Sequence, residues 1–241
     1  MENMIIEPTT RRNAMGYNMT TSDMELSEEY LTRRFARPQR EPSPITYEIT
    51  RDAGYLHQYF LLRENMFINA WGLQNFCGQK DEHDDRSEIM VARIDNHVVG
   101  GCRLTFSEKD ALLPMEKPDF SLASLMPDLK LDQASYVEVS RMAILPEYQN
   151  STVMLELSRQ LLKRAASNKA RYAFTLSPIP LARNYRKAAS LFGLKWEILL
   201  DTKVPEREEY EGIRMVLSQL DLAPAYRPKN IGQHTVLLAE A

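Results

Sequence analysis

Cysteine is scarce in this chain: Cys77 and Cys102 are its two cysteines in 241 residues. That is too few for the disulfide scaffold of a small secreted domain, so nothing demands an oxidising compartment. No apolar run approaches the ~18–20 residues that a membrane-crossing helix needs. The start, Met1-Glu2-Asn3-Met4-Ile5-Ile6-Glu7, has neither the basic nor the apolar region of a secretory signal. A cytoplasmic protein with no membrane span is therefore expected. Repeats and low-complexity tracts are absent. So is a large excess of one charge: 30 Lys and Arg against 33 Asp and Glu give a net charge of −3, which argues against a nucleic-acid partner. The acidic cluster Asp81-Glu82-His83-Asp84-Asp85 matches no calcium-loop or zinc-site spacing, and no metal is expected there. What remains is an ordinary globular composition, 44% hydrophobic and 26% charged, long enough for one large domain or two small ones.

Residues 1–44 differ from the rest. A charged stretch Glu25–Arg37 is followed by Pro38, Pro42 and Pro44, and a helix starting near Ser27-Glu28-Glu29-Tyr30-Leu31 would be closed by those prolines. We read them as an N-terminal extension, partly ordered, before a domain at 45–241. From Ile45 the pattern is regular. Ile45–Thr50 alternates as a strand, and Ala53–Phe67 carries a helical stripe through Leu56, Phe60, Arg63 and Phe67. Gly72–Asp85 reads as a loop. Glu88–Ile94 and His97–Thr105 read as strands joined by a tight turn at Asp95-Asn96. Phe106–Ala134 is an irregular excursion, and Tyr136–Leu145 a strand ended by Pro146. Helices are expected at Ser151–Ser167 and Leu181–Phe192, with strands at Arg171–Leu176, Lys195–Leu200, Gly212–Leu217 and Val236–Leu238. Hairpins mixed with crossovers predict an α/β sandwich on a mixed sheet.

Several constellations could carry chemistry, each with a plainer reading beside it. Arg63 and Phe67, four residues apart with Trp71 beyond, suit an anion next to a flat or cationic ligand; equally, the arginine stem could pack while its head reaches water. The Asp81–Asp85 cluster could hold an ammonium or sulfonium group, or be a solvated loop. In Tyr136-Val137-Glu138-Val139-Ser140-Arg141-Met142, period-two geometry puts Glu138, Ser140 and Met142 on one face and Arg141 on the other. A glutamate among valines is costly to bury unless paired or protonated, and burial raises its pKa toward that of a general base. It could instead form an ion pair with Arg103. For Arg141 to reach the same cavity, a bulge must re-aim the strand. Between Arg141 and Ser190, nine basic residues face two acidic ones, which is either a solvated face or a docking surface for an acidic partner. The turn Pro146–Thr152 presents backbone N–H groups to an anion; it is similar to the pyrophosphate loop of acyl-CoA-dependent N-acyltransferases at Gln149, with Thr152 and Met154 where small residues are usual.

Read in order, Arg63-x-x-x-Phe67, Trp71, Asp81-x-x-Asp84, Gly101-Cys102-Arg103-Leu104, Phe120 and Glu138-Val139-Ser140-Arg141 resemble the acyl-homoserine-lactone (LuxI-type autoinducer) synthases. The resemblance covers roughly Ile45 to Leu220. It implies a GNAT-like three-layer α/β/α sandwich with a splayed central sheet. It implies acyl transfer from acyl carrier protein to the amine of S-adenosylmethionine, then lactonisation to a quorum-sensing signal with release of methylthioadenosine. No prosthetic group is implied; S-adenosylmethionine is a substrate. By the same resemblance, Glu138, Arg63, Asp84 and Arg103 would be catalytic. Arg63, Phe67, Trp71, Asp81, Asp84 and Arg141 would bind S-adenosylmethionine. Phe120, Ser140, Met142, Phe174 and Leu176 would line the acyl pocket. Arg159, Lys163, Arg164, Lys169, Arg186 and Lys187 would dock the acidic carrier protein. The extension before Ile45, the His83 between the aspartates and the absence of a proline after Arg103-Leu104 depart from that family's pattern. They keep open a related N-acyl amino acid synthase, and a silent module that binds carrier protein.

Overall fold

A computed structural model of the chain describes residues 44–149, 152–210 and 212–223, and the backbone of residues 11–12 and 18–19. The chain divides into units 1–44 and 45–241. In the first, two two-residue strands pair antiparallel, Arg11 opposite Met19 and Arg12 opposite Asn18. The possible helix at Ser27–Leu31 and the strand expected at Val236–Leu238 lie outside the described residues.

The second unit is built on seven strands. These are β1 (Ile45–Thr50), β2 (Glu88–Ile94), β3 (His97–Phe106), β4 (Tyr136–Ile144), β5 (Tyr172–Pro178), β6 (Trp196–Leu199) and β7 (Met215–Asp221). Their order across the sheet is β1-β2-β3-β4-β5-β7-β6. Every pairing is antiparallel except β4 with β5. The Asp95-Asn96 turn between β2 and β3 is as expected, with Asp95 at φ 51° supplying the left-handed residue that a tight hairpin needs.

Helix α1 (Ala53–Asn65) starts where the Asp52 carboxylate accepts from the Tyr55 N–H at 2.9 Å. With the turn that follows it, it packs on one face of the sheet, burying Tyr59, Leu62, Met66 and Phe67 against Ile89, Val91, Val98 and Ala143. On the other face, α4 (Val153–Ser167) and α5 (Ile179–Ser190) cover Met90, Val99, Leu104, Val137 and Val139. The result is the expected α/β/α sandwich. Between β3 and β4 the excursion contains the short helix α3 (Leu122–Leu125) and a 3-10 turn, Pro127–Leu129, and closes a third cluster over Phe174 and Leu217. Glu116 holds it together, its two oxygens accepting from the N–H groups of Leu113 and Leu122, each at 2.9 Å.

Four features differ from the sequence reading, the first being that the strand expected at Gly212–Leu217 runs Met215–Asp221. Helix α1 passes into a π-helical turn, Met66–Ala70, where one continuous helix ending at Phe67 was expected. That wider turn accompanies the stacking of Phe67 on Phe76 and its contact with Trp71, with ring centroids 4.3 and 4.7 Å apart. The loop before β2 contains a single-turn helix, α2 (Glu82–Asp85). Strand β5 also runs straight into α5 two residues early, because Pro180 is tolerated in a first helical turn.

Candidate active site

The sheet comes apart at its one parallel junction. Strands β4 and β5 pair through Tyr136, Val137 and Glu138 opposite Tyr172, Ala173 and Phe174, and no further. Beyond that, Val139–Ile144 stays bonded to β3 and Thr175–Pro178 to β7. A wedge opens between two strand edges whose facing backbone groups have no strand partner.

Strand β4 also changes phase at this point. Arg103 pairs with Ser140 but Gly101 with Ala143, so Cys102 faces two residues, Arg141 and Met142. This is the bulge that Arg141 required. It carries Arg141 at φ 57°, a left-handed conformation that costs a side-chain-bearing residue about 1–2 kcal/mol. The arginine is held there from several sides. Its Nη1 donates to the Tyr210 hydroxyl at 2.6 Å and its Nη2 to Glu209 at 3.1 Å. Its guanidinium lies over the Phe76 ring, 4.9 Å from the centroid, and its carbonyl accepts from the buried Tyr59 hydroxyl at 2.8 Å. The same phase change corrects the placement of Met142. It joins Val137 and Val139 on the helix α4 side of the sheet, not Glu138 and Ser140, although it still borders the wedge.

From the aspartate loop to the bulge runs an alternating chain of charges. Arg63, 1% exposed, grips Asp84 through two nitrogens at 3.1 and 3.0 Å, and donates to the carbonyls of Gly78 (2.8 Å) and Gln79. Asp84 accepts also from Arg103 Nη1 at 3.1 Å; that nitrogen reaches both oxygens of Asp81, at 2.7 and 2.9 Å. Asp81 lies 3.5 Å from Arg141. Loop and helix touch so closely at Gly78 that a Cβ there would sit 2.3 Å from the Glu64 Cα.

The Asp-x-x-Asp spacing has a local cause. Asp81 is the N-cap of α2 and accepts from the N–H groups of His83 and Asp84, while Asp84 accepts from the Asp81 N–H at 2.9 Å. The pair is a capping box, and it turns one carboxylate toward Arg103 and the other toward Arg63. Burial pushes the Asp81 carboxyl up, but Arg103 and then Arg141 outweigh it and hold it below its ordinary value.

A cavity of about 260 Å³ occupies the wedge. Its wall includes Phe67, Trp71, Asp81, His83, Arg103, Glu138, Ser140, Arg141, Met142 and Leu176. Glu138 is buried and accepts from the Met115 N–H at 2.7 Å. Burial raises its pKa, and the opposing pull of Arg103, the Met115 N–H and Arg207 does not cancel the rise. A second, mostly apolar cavity of about 410 Å³ adjoins the first; the two share Trp71, Met142, Pro178 and Leu181. Burial and Arg103 lower the pKa of His83, so it is neutral near neutral pH.

Several expected site residues lie elsewhere. Arg63 and Asp84 stand behind the wall, because carbonyl groups and opposite charges consume their hydrogen-bonding capacity. Phe174 is buried in the third cluster, and neither it nor half-buried Phe120 borders either cavity. On the basic tract, Arg159 is paired with Glu156, and Arg164 with Glu88 at 2.7 Å, so neither is free for an acidic partner. Lys163 is half-buried, whereas Lys169, Arg186 and Lys187 are exposed. Sequence reasoning missed Arg207, Glu209 and Tyr210, which reach the cavity from the β6–β7 connection, and Ser177, whose buried hydroxyl on the wall has no partner. The Asp-x-x-Asp spacing itself could have disclosed the cap.

Among the described residues, no group of three or more His, Cys, Asp or Glu could hold a metal ion, and no helix is long and apolar enough to cross a membrane.

Residues 58–190 match the model of a family described as N-acyl amino acid synthase FeeM. No curated protein sequence matches the chain. Among solved structures, FeeM, an N-acyl amino acid synthase from uncultured soil microbes, is 11% identical over 74% of this chain and 91% of its own, with a TM-score of 0.50. A Lactobacillus plantarum protein assigned to the N-acetyltransferases is 10% identical over 75% of this chain and 99% of its own, with a TM-score of 0.53. The acyl-homoserine-lactone synthase LasI is 19% identical over 75% and 91%, with a TM-score of 0.49. The first two likenesses are of fold, the GNAT-like sandwich with its splayed sheet.

Proposed function

This chain belongs to the N-acyl amino acid synthase FeeM family and is an acyltransferase; on that premise we propose that it moves an acyl group from a carrier-bound pantetheine thioester to the α-amine of an amino acid. The observation that carries this reading is the buried Glu138, with raised proton affinity, where β4 and β5 part. An ammonium group cannot attack a thioester. A carboxylate that takes its proton in a water-poor cleft makes the nucleophile. The new C–N bond then forms as the C–S bond breaks, and the departing thiolate takes up a proton. Backbone N–H groups along the parted edges of β4 and β5, which have no strand partner there, are the candidate donors to the oxyanion.

The two cavities divide the substrates. The apolar one, with Met142 at its junction, suits the acyl-pantetheine arm; Ser140 and Leu176 border the passage. The charged one, with Asp81, Arg103 and Arg141, suits the acceptor. S-adenosylmethionine as acceptor, with lactone formation, is the second reading, favoured by the Phe67–Trp71 ring pair on the same wall as the Asp81 carboxylate, a setting fit for a sulfonium. Residues 45–241 carry the reaction in this reading, with 1–44 as an extension, and the carrier substrate places it in the cytoplasm.

The decisive experiment supplies acyl carrier protein charged with fatty acyl groups together with each of the twenty L-amino acids or S-adenosylmethionine, and follows free thiol and product mass. Thiol release dependent on an amino acid supports the reading. Release with S-adenosylmethionine and concomitant methylthioadenosine selects the second. Carrier binding without transfer to any acceptor leaves a silent module and overturns both.

Helix α5 has exposed Arg183, Arg186 and Lys187 and no acidic residue. Arg186→Glu with Lys187→Glu is therefore expected to raise the KM for acyl carrier protein about tenfold at low salt and to leave the acceptor KM unchanged. The difference should shrink as ionic strength rises. A salt-independent effect would remove this surface as the docking face.

A further inference from the structure

Three guanidinium groups line the charged cavity, and they are not equally satisfied. Arg103 faces two carboxylates and the Ser140 hydroxyl, and Arg141 faces Glu209, Asp81 and Tyr210. Arg207 is different. Its Nη2 donates to the Pro114 carbonyl at 2.6 Å. Its nearest carboxylate, Glu209, is 3.9 Å from Nη1 and is already engaged by Arg141 at 3.1 Å. Its Nε is buried with no partner, in a side chain 17% exposed. A buried N–H donor without a partner is rare in folded proteins unless something outside the chain completes it. Nε and Nη2 form one edge of the guanidinium fork, the edge that a carboxylate grips with both oxygens.

Arg207 borders the same cavity as Glu138 and sits close enough for its charge to act on that carboxyl. The same cavity thus carries a proton acceptor and an under-matched guanidinium whose charge that acceptor feels. An α-amino acid carries the complementary pair, an amine and a carboxylate on one carbon.

We propose that Arg207 binds the α-carboxylate of the acceptor, and so admits α-amino acids while rejecting amines that lack the carboxylate. The inference rests on the reading of the cavity as an acceptor site. It holds for a free amino acid and for S-adenosylmethionine alike, since both carry this group.

The test uses the full chain and its Arg207→Gln and Arg207→Lys variants. Calorimetry measures binding of each of the twenty L-amino acids and S-adenosylmethionine, then of the α-carboxamide of the tightest amino-acid binder. Wild type is expected to prefer the carboxylate over the carboxamide about 10- to 100-fold. Arg207→Gln should lose that preference while binding the carboxamide as wild type does, and Arg207→Lys should recover part of it. In turnover, Arg207→Gln should raise the acceptor KM by a similar factor and leave the KM for acyl carrier protein unchanged. An undiminished preference in Arg207→Gln overturns the assignment, as does a wild type that binds none of these probes. Should Arg207→Gln fail to fold, the same ratio in Arg207→Lys decides. Binding without acylation would sink the acyl-transfer reading and leave Arg207 to be judged by the binding ratios, so the two failures are distinct.

Discussion

Glu138→Gln is expected to lower kcat/KM by about 10²- to 10⁴-fold in a protein that melts no lower than wild type at neutral pH. Glutamine has the same shape and its amide oxygen can still accept from the Met115 N–H, but it cannot take a proton from the amine. Activity of wild type should rise with pH as Glu138 loses its own proton, with a midpoint above the ordinary 4.5. The stability effect has the opposite direction. Because burial raises the folded pKa, the folded chain keeps a proton that the unfolded chain gives up, and this favours folding at low pH. From pH 4.5 up through the raised value that advantage disappears and the buried charge opposes folding. The melting temperature of the variant, relative to wild type, should therefore climb over that window. Parallel pH profiles of kcat/KM and of melting temperature check both. A variant within severalfold of wild-type activity would remove Glu138 as the base.

Arg63→Met is expected to cost about 3–5 kcal/mol of stability, the effect of removing one partner from a buried ion pair. Asp84 would remain in the interior beside Arg103 alone, and the Gly78 and Gln79 carbonyls would lose their donor. Urea denaturation with an unchanged m-value would measure it. Combining Arg63→Met with Asp84→Leu should return part of the loss, because the stranded charge goes too. If Arg63→Met were instead as stable as wild type and inactive, Arg63 would belong to the chemistry and not to the scaffold behind it.

Strand β2, strand β3, their turn and the helical stripe of α1 were legible in the sequence, since each depends on local alternation or spacing. Glu138 was legible for a related reason: a charged residue between valines is conspicuous against a strand's apolar pattern. The role of Arg63 was not. An arginine on a helical stripe looks the same whether its head meets a ligand or the carbonyls of a loop folded back from residue 78. The bulge at Arg141 could be stated as a requirement but not located, since register is set by the partner strand and not by β4 itself. Arg207, Glu209 and Tyr210 come from an aperiodic connection near the end of the described chain, where nothing local announces that the backbone returns to the wedge. The capping box was visible as spacing, yet two aspartates three apart also read as a carboxylate cluster.

The left-handed arginine has one more consequence. Because two residues of β4, Arg141 and Met142, occupy the span of one residue of β3, neither takes a rung in the ladder between these strands. Shortening β4 by the first of them would restore an unbroken ladder with Val137, Val139 and Ile144 still facing their helices, yet the cleft would lose its link between the aspartate loop and the connection bearing Glu209. Architecture and reactivity are thus written into one nine-residue segment in two different phases, and a change of one codon separates them.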